Sequence, residues 1–253
     1  MPSTQNLNQL LPVTELRQVC KAIAVLDAIV CQEWEYRYYS YNSKWAEREE
    51  CASMRNGCGD QYHILFNEYG AVISGFAHES EMSSWRQVEM PPAPPTSFKE
   101  KLISFFVEDK EETEDKQNPW KGLYEGLPNV FDEFIFGEPV KSIGTTFCIW
   151  RSYGDNAWHI GGIEFPDNDY KDGSADLLEL LDGNPKKYKE FAEQYFEDNE
   201  EGFPILPFKA IKAIYNGEVL NRKLVHSINP NLEDWGQLIE DLEEIDYPHE
   251  IEI

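Results

Sequence analysis

The sequence predicts an α+β protein, with antiparallel sheet drawn from residues 33–78 and 144–165 and a helical C-terminal third. Three observations carry that prediction. β-favouring runs occur in pairs around short turns, as hairpins do. After Ser174 the apolar residues recur at helical spacing, punctuated by caps and stops. At 253 residues, 41% hydrophobic and 13% aromatic, the chain has enough apolar mass for a sizeable core.

Thr14 is expected to cap a first helix running to about Cys31, with Leu16, Val19, Cys20, Ile23, Leu26 and Val30 on one stripe. Asp27 falls inside that stripe, so it needs hydrogen-bond partners or a position at the wet end. From Glu33 to Tyr41 rings and polar residues alternate, a strand signature. A polar segment and a turn at 56–60 follow. Tyr62–Phe66 and Ala71–Phe76 then flank a Gly-containing turn, which completes an antiparallel meander over 33–78.

Pro91–Pro95 reads as a semi-rigid spacer, Phe98–Val107 as a short amphipathic helix, and Glu108–Gln117 as a charged loop. A further short helix is expected at Asn129–Phe136. Thr145–Arg151 and Trp158–Phe165 form a second hairpin, in which Gly161 and Gly162 point to a bulge or a close backbone approach. Helices are expected at 176–181, 185–197 behind an Asn184 cap, 204–215, 218–227 and 231–245. The resulting organisation is a helix plus meander (1–90), a Pro-rich and charged connector (91–128) and a hairpin plus helical region (129–253). One domain throughout is equally compatible with the pattern.

The stretches EWEYRYYSYNSKW (33–45), TTFCIWR (145–151) with WHIGGIEFP (158–166), and LLDGNPKKYKEFAEQYFE (180–197) resemble uncharacterised soluble bacterial proteins. The resemblance spans most of the chain. It implies no activity and assigns no functional residue, because those motifs are structural in character.

Charge is the strongest constraint on function. Lys and Arg number 22 against 47 Asp and Glu, a formal −25. Phosphate binding needs clustered cations that this chain lacks, so nucleic acid is excluded as a partner, and anionic membrane is disfavoured on the same ground. Met1–Gln9 carry no basic n-region, and the longest apolar run, Ala22–Cys31, is broken by Asp27. A cytoplasmic protein without signal peptide or membrane span is expected. Five irregularly spaced cysteines are expected as free thiols, with no stoichiometric metal and no cofactor.

No short motif for catalysis stands out. Asp167–Gly173 approximates a calcium loop, but Lys171 occupies a ligand slot and the glycine is one residue late, so a solvated acidic turn is expected. Cys51, Cys58, His63 and His78 lack zinc-ligand spacing. Cys148 and His159 sit on opposite strands of the second hairpin, where a facing pair would have the elements of a nucleophile and base; plain packing is the simpler reading. With so many acids, a pair such as Glu164 and Asp167 discriminates nothing.

Two features favour recognition. Tyr36 and Tyr38 lie in an aromatic run, and Tyr and Trp contribute large contact area with a polar tip. After Lys223 there is no further Lys or Arg, while Glu233, Asp234, Glu240, Asp241, Glu243, Glu244, Asp246, Glu250 and Glu252 follow. With Leu232, Trp235, Leu238, Ile239, Leu242 and Ile245 as the buried stripe, these acids are expected to face outward. Glu240, Glu243, Glu244, Tyr36 and Tyr38 are therefore the candidate partner-binding residues. The function expected is an acidic cytosolic protein-binding module, in its concrete form an immunity or inhibitor protein neutralising a basic partner. The alternatives are a small hydrolase drawing on His63, His78, His159, Cys148 and Glu164, or an assembly component. Oligomeric state stays open.

Overall fold

Alternating side chains along the paired runs build one antiparallel sheet, in a computed structural model that describes residues 1–83, 122–163, 172–199 and 205–252. The proline run, the helix expected at 98–107, the charged loop at 108–117, Glu164 and residues 167–171 of the acidic turn lie outside the described residues. A first helix, α1 (Val13–Val30), precedes the strands β1 (Tyr39–Ala46), β2 (Glu49–Arg55), β3 (Gln61–Phe66), β4 (Gly70–Phe76), β5 (Phe147–Ser152) and β6 (His159–Ile160). Each strand pairs antiparallel with the next, giving six strands in sequence order. β4 and β5 pair from Gly70↔Ser152 to Gly75↔Phe147, so the two hairpins read from the sequence share one sheet.

Short helices α2 (Asp132–Ile135) and α3 (Val140–Ile143) follow β4 in the chain, and α4 (Ser174–Leu177), α5 (Pro185–Asn199), α6 (Phe208–Tyr215), α7 (Arg222–Ile228) and α8 (Trp235–Ile245) form the C-terminal part. The sheet is covered on both faces. Tyr62, Ile64, Phe66, Ile73, Phe147 and Ile149 join the core of α1 and the C-terminal helices. Leu65, Val72, Cys148 and Trp150 point the other way, against Phe131, Phe134, Ile135 and Val140. Double coverage explains why every residue of β4 is buried. Helix α1 packs on β1 and on α6, α7 and α8, so its burial extends well beyond one stripe. Each large aliphatic or aromatic side chain fully buried this way contributes about 1.5–3 kcal/mol.

Several boundaries differ from the sequence reading, each for a local reason. The chain enters α1 through Pro12, so Thr14 lies in the first turn instead of capping it. Trp34–Tyr36 form a 3-10 turn, and β1 begins only at Tyr39. Arg37 imposes that turn by donating from Nε to the Cys31 carbonyl (2.6 Å) and from Nη2 to that of Gln32 (3.2 Å). β2 occupies a stretch that reads as polar, because its buried positions include the small Cys51 and Ala52. α7 and α8 start later than expected, at the side-chain caps Asn221 and Asp234, which accept from Leu224 N (3.0 Å) and Gln237 N (2.9 Å). The polar N-terminus is also anchored: buried Thr4 donates from Oγ1 to Asp172 Oδ2 (2.6 Å).

The glycine pair behaves as a close approach. A Cβ on Gly161 would lie 2.0 Å from the Gly122 carbonyl oxygen. Gly75 is more consequential, since its Cβ would overlap the Phe147 ring at 2.0 Å. Gly75→Ala is expected to push Phe147 out of its buried position and lower unfolding free energy by about 1–3 kcal/mol. Urea unfolding at pH 7 measures it, and an unchanged midpoint would show that the ring is not held there.

Candidate functional site

The aromatic run and the acidic C-terminal helix meet at the edge of the sheet. β1 is the edge strand, and α8 packs beside it. Ser43 Oγ donates to the Glu244 carbonyl at 2.7 Å, and Gln32 Nε2 donates to that of Asp234 at 2.7 Å. Between them runs a groove of about 190 Å³ whose lining includes Trp34, Arg37, Trp45, His63, Asp241 and Glu244. Trp34 and Trp45 are 58% and 40% exposed, so neither ring belongs to the core. Trp34 is held from one side by the Arg55 guanidinium, 3.6 Å from its ring centroid, and Arg55 Nη2 donates to the Trp34 carbonyl at 3.0 Å.

Glu240, Glu243 and Glu244 are exposed on α8 as expected. Asp241 is not: the outward placement of all the terminal acids is corrected at this position. Asp241 is buried, with Oδ2 2.8 Å from Arg37 Nη2 in ion-pair rather than hydrogen-bond geometry, and Oδ1 accepting from Gln237 Nε2 at 3.2 Å. Its neighbours on the helix surface, Leu238 and Ile245, belong to the buried stripe. Its spacing, with Leu238 at i−3 and Ile245 at i+4, was a usable signal; its charge hid it. The pair clamps the 31–38 segment to α8. Asp246 turns the chain out of α8 in a left-handed conformation (φ 58°) and pairs with Lys21 at 3.1 Å.

Asp27 performs the same service at the root of the segment. It is fully buried and accepts from Tyr38 N (2.9 Å) and Tyr39 N (2.9 Å) at Oδ2, and from Tyr188 Oη (2.8 Å) at Oδ1. Burial pushes its carboxyl up to about 6, against the pull of those three donors and of Arg37.

The two tyrosines part company. Tyr36 is 54% exposed on the 3-10 turn. Tyr38 is half-buried against Phe191 and Tyr195 and lines a different cleft, on the α5 side.

Among the described residues, the Cys148–His159 pair and the Cys51, Cys58, His63 and His78 grouping considered from sequence do not assemble. His159 lies opposite Trp150 rather than Cys148, is exposed, and sits 3.5 Å from Asp155, so the two do not form a facing nucleophile–base pair, in keeping with the packing reading of Cys148. Cys148 is buried, and burial raises its thiol pKa far above the usual range. Cys51 is buried in β2 with its thiol pushed up to about 12, while Cys58 sits exposed in the turn. His63, on β3, is lowered to about 4 by desolvation and is neutral at pH 7. His78 engages Asp60 through Nδ1 at 2.7 Å, which raises its pKa. Among the described residues, no three His, Cys, Asp or Glu side chains are grouped to hold a metal ion, and no helix is long and apolar enough to cross a membrane. No protein-family model, curated protein or solved structure matches the chain, and the site rests on its own geometry.

Proposed function

We propose that the chain is an acidic protein-binding module whose α8 face, with Trp34 and Trp45 beside it, docks a basic protein. The observation that carries this reading is the meeting of two exposed tryptophans and the exposed Glu244 at one groove, with Glu240 and Glu243 exposed on the same helix. Aromatic anchors supply contact energy, and the surrounding carboxylates supply rate and selectivity toward a cationic surface. A net charge of −25 extends that attraction over the whole molecule. In its concrete form the module is a bacterial, cytoplasmic immunity or inhibitor-type protein that covers the cationic site of a toxin. Such a partner needs a basic patch, which is what a nuclease presents to phosphate.

The test is affinity capture with wild-type chain and with a Glu240→Lys/Glu243→Lys/Glu244→Lys variant. A strongly basic protein is expected on the wild type at about 0.1 M salt. It should be lost from the variant, and from both in about 1 M salt, where the Debye length falls to ~3 Å. An acidic partner, or equal capture by the variant, would remove α8 as the docking face.

A further inference from the structure

The second cleft, between α5, the 174–182 segment and the start of β1, is the more specific feature. It encloses about 380 Å³, within the range of sites that hold a small organic group. The lining includes the apolar or aromatic Tyr38, Met54, Leu177, Leu180 and Phe191. Tyr38 is fixed edge-on to Phe191 and Tyr195, with centroids 5.0 and 4.5 Å away, and Phe191 stacks on Tyr195 at 5.9 Å. The wall is therefore a braced group of rings, and burial holds the Tyr38 phenol neutral by raising its pKa to about 12.

The rim is acidic, and most of its charges are already engaged. Lys187, the one cation of the rim among the described residues, lies 2.9 Å from Asp182 and 3.9 Å from Glu179. Asp60 accepts from Asn56 Nδ2 at 2.8 Å and faces His78 Nδ1 at 2.7 Å. That leaves Asp176 and Glu190, both exposed and without an ion pair among the described residues. An apolar ring wall beside two uncompensated carboxylates suits one chemistry: a cation at the end of an aliphatic stem. The stem covers the rings while the charge stays at the wet rim. An anion would meet two carboxylates, with Lys187 already engaged by Asp182 and Glu179.

We propose that this cleft receives an arginine or lysine side chain of the basic partner, with its stem against Tyr38 and Phe191 and its charge between Asp176 and Glu190. The inference rests on the basic-partner reading and names a contact distinct from α8. The probe is N-acetyl-arginine amide, titrated into the full chain carrying methyl-labelled methionine. The Met54 methyl lines the cleft, whereas Met82 is buried on the opposite face of the sheet. Saturable movement of the Met54 signal with Met82 unmoved is expected, weakened about tenfold in Asp176→Asn/Glu190→Gln. Glu15→Gln/Glu133→Gln removes the same charge at exposed positions outside both proposed sites and should leave the probe's affinity unchanged. Equal weakening by both pairs, or a silent Met54, overturns the proposal. So does spermidine binding more than tenfold tighter than N-acetyl-Gly-Arg-Gly amide, which would give the cleft to a free polyamine. A cleft that ignores the arginine amide while α8 charge reversal still abolishes capture overturns this inference alone. The reverse pattern overturns only the α8 reading.

Discussion

Asp27→Asn is expected to gain about 3 kcal/mol of stability relative to wild type between pH 3.5 and pH 7. The sign follows from the folded carboxyl being raised from 3.8 to about 6. A raised acid holds its proton in the folded state, so its favourable contribution is complete below the unfolded value and is lost as pH rises through about 6. About two pKa units at 1.36 kcal/mol each give that magnitude. The asparagine carries no charge to desolvate. Its oxygen can still accept from Tyr38 N and Tyr39 N, and its amide can donate to the Tyr188 hydroxyl. His63 tilts wild-type stability the other way, because its lowered pKa costs stability as pH falls toward about 4. The informative quantity is therefore the difference between variant and wild type, which cancels His63, followed by urea unfolding across pH. A difference that stays flat would mean Asp27 is not desolvated. Asp27→Ala should instead destabilise throughout, because three buried or half-buried donors lose their acceptor at about 1–3 kcal/mol each.

Asp241→Ala is expected to cost about 3–5 kcal/mol, the usual consequence of leaving one partner of a buried ion pair alone. The Arg37 side chain is 5% exposed and would keep only the Cys31 and Gln32 carbonyls. Arg37→Met/Asp241→Leu should recover most of that loss, since two apolar side chains replace both charges. A double variant as unstable as the single would show that the hydrogen bonds these two side chains make to Cys31, Gln32 and Gln237, not the unpaired charge, set the cost. The same clamp positions Trp34 against α8, so Asp241→Ala should also weaken partner binding even where the fold persists.

The hairpins were legible because turn residues and β-rich runs coincide, as at Asn67–Gly70 between β3 and β4. β2 was not, because a strand whose buried positions include Cys51 and Ala52 lacks the hydrophobic contrast that marks a strand. The 3-10 turn at Trp34–Tyr36 was also hidden. Its cause is tertiary: Arg37 and Asp27 take up backbone groups that a longer β1 would have used. At the candidate site, the exposure of Glu240, Glu243 and Glu244 followed from helical spacing alone. Asp241 had the right spacing for burial, and only its distant partner explains how a carboxylate sits there. The separation of Tyr36 from Tyr38 into different surroundings depends on where α5 packs, which no local pattern encodes.

In the proposed function a particular aromatic–acidic surface, and not general acidity, recognises the partner. The most direct measurement compares partner affinity for Trp34→Ala/Trp45→Ala, which leaves the net charge at −25, with that of the wild type over a salt series. Binding at least tenfold weaker is expected at every salt concentration, with the slope of log affinity against log salt unchanged, because the anchors go and the charges stay. Affinity equal to wild type across the series would contradict it, and would leave the acidity of this chain as a solvated surface with no docking role at this face.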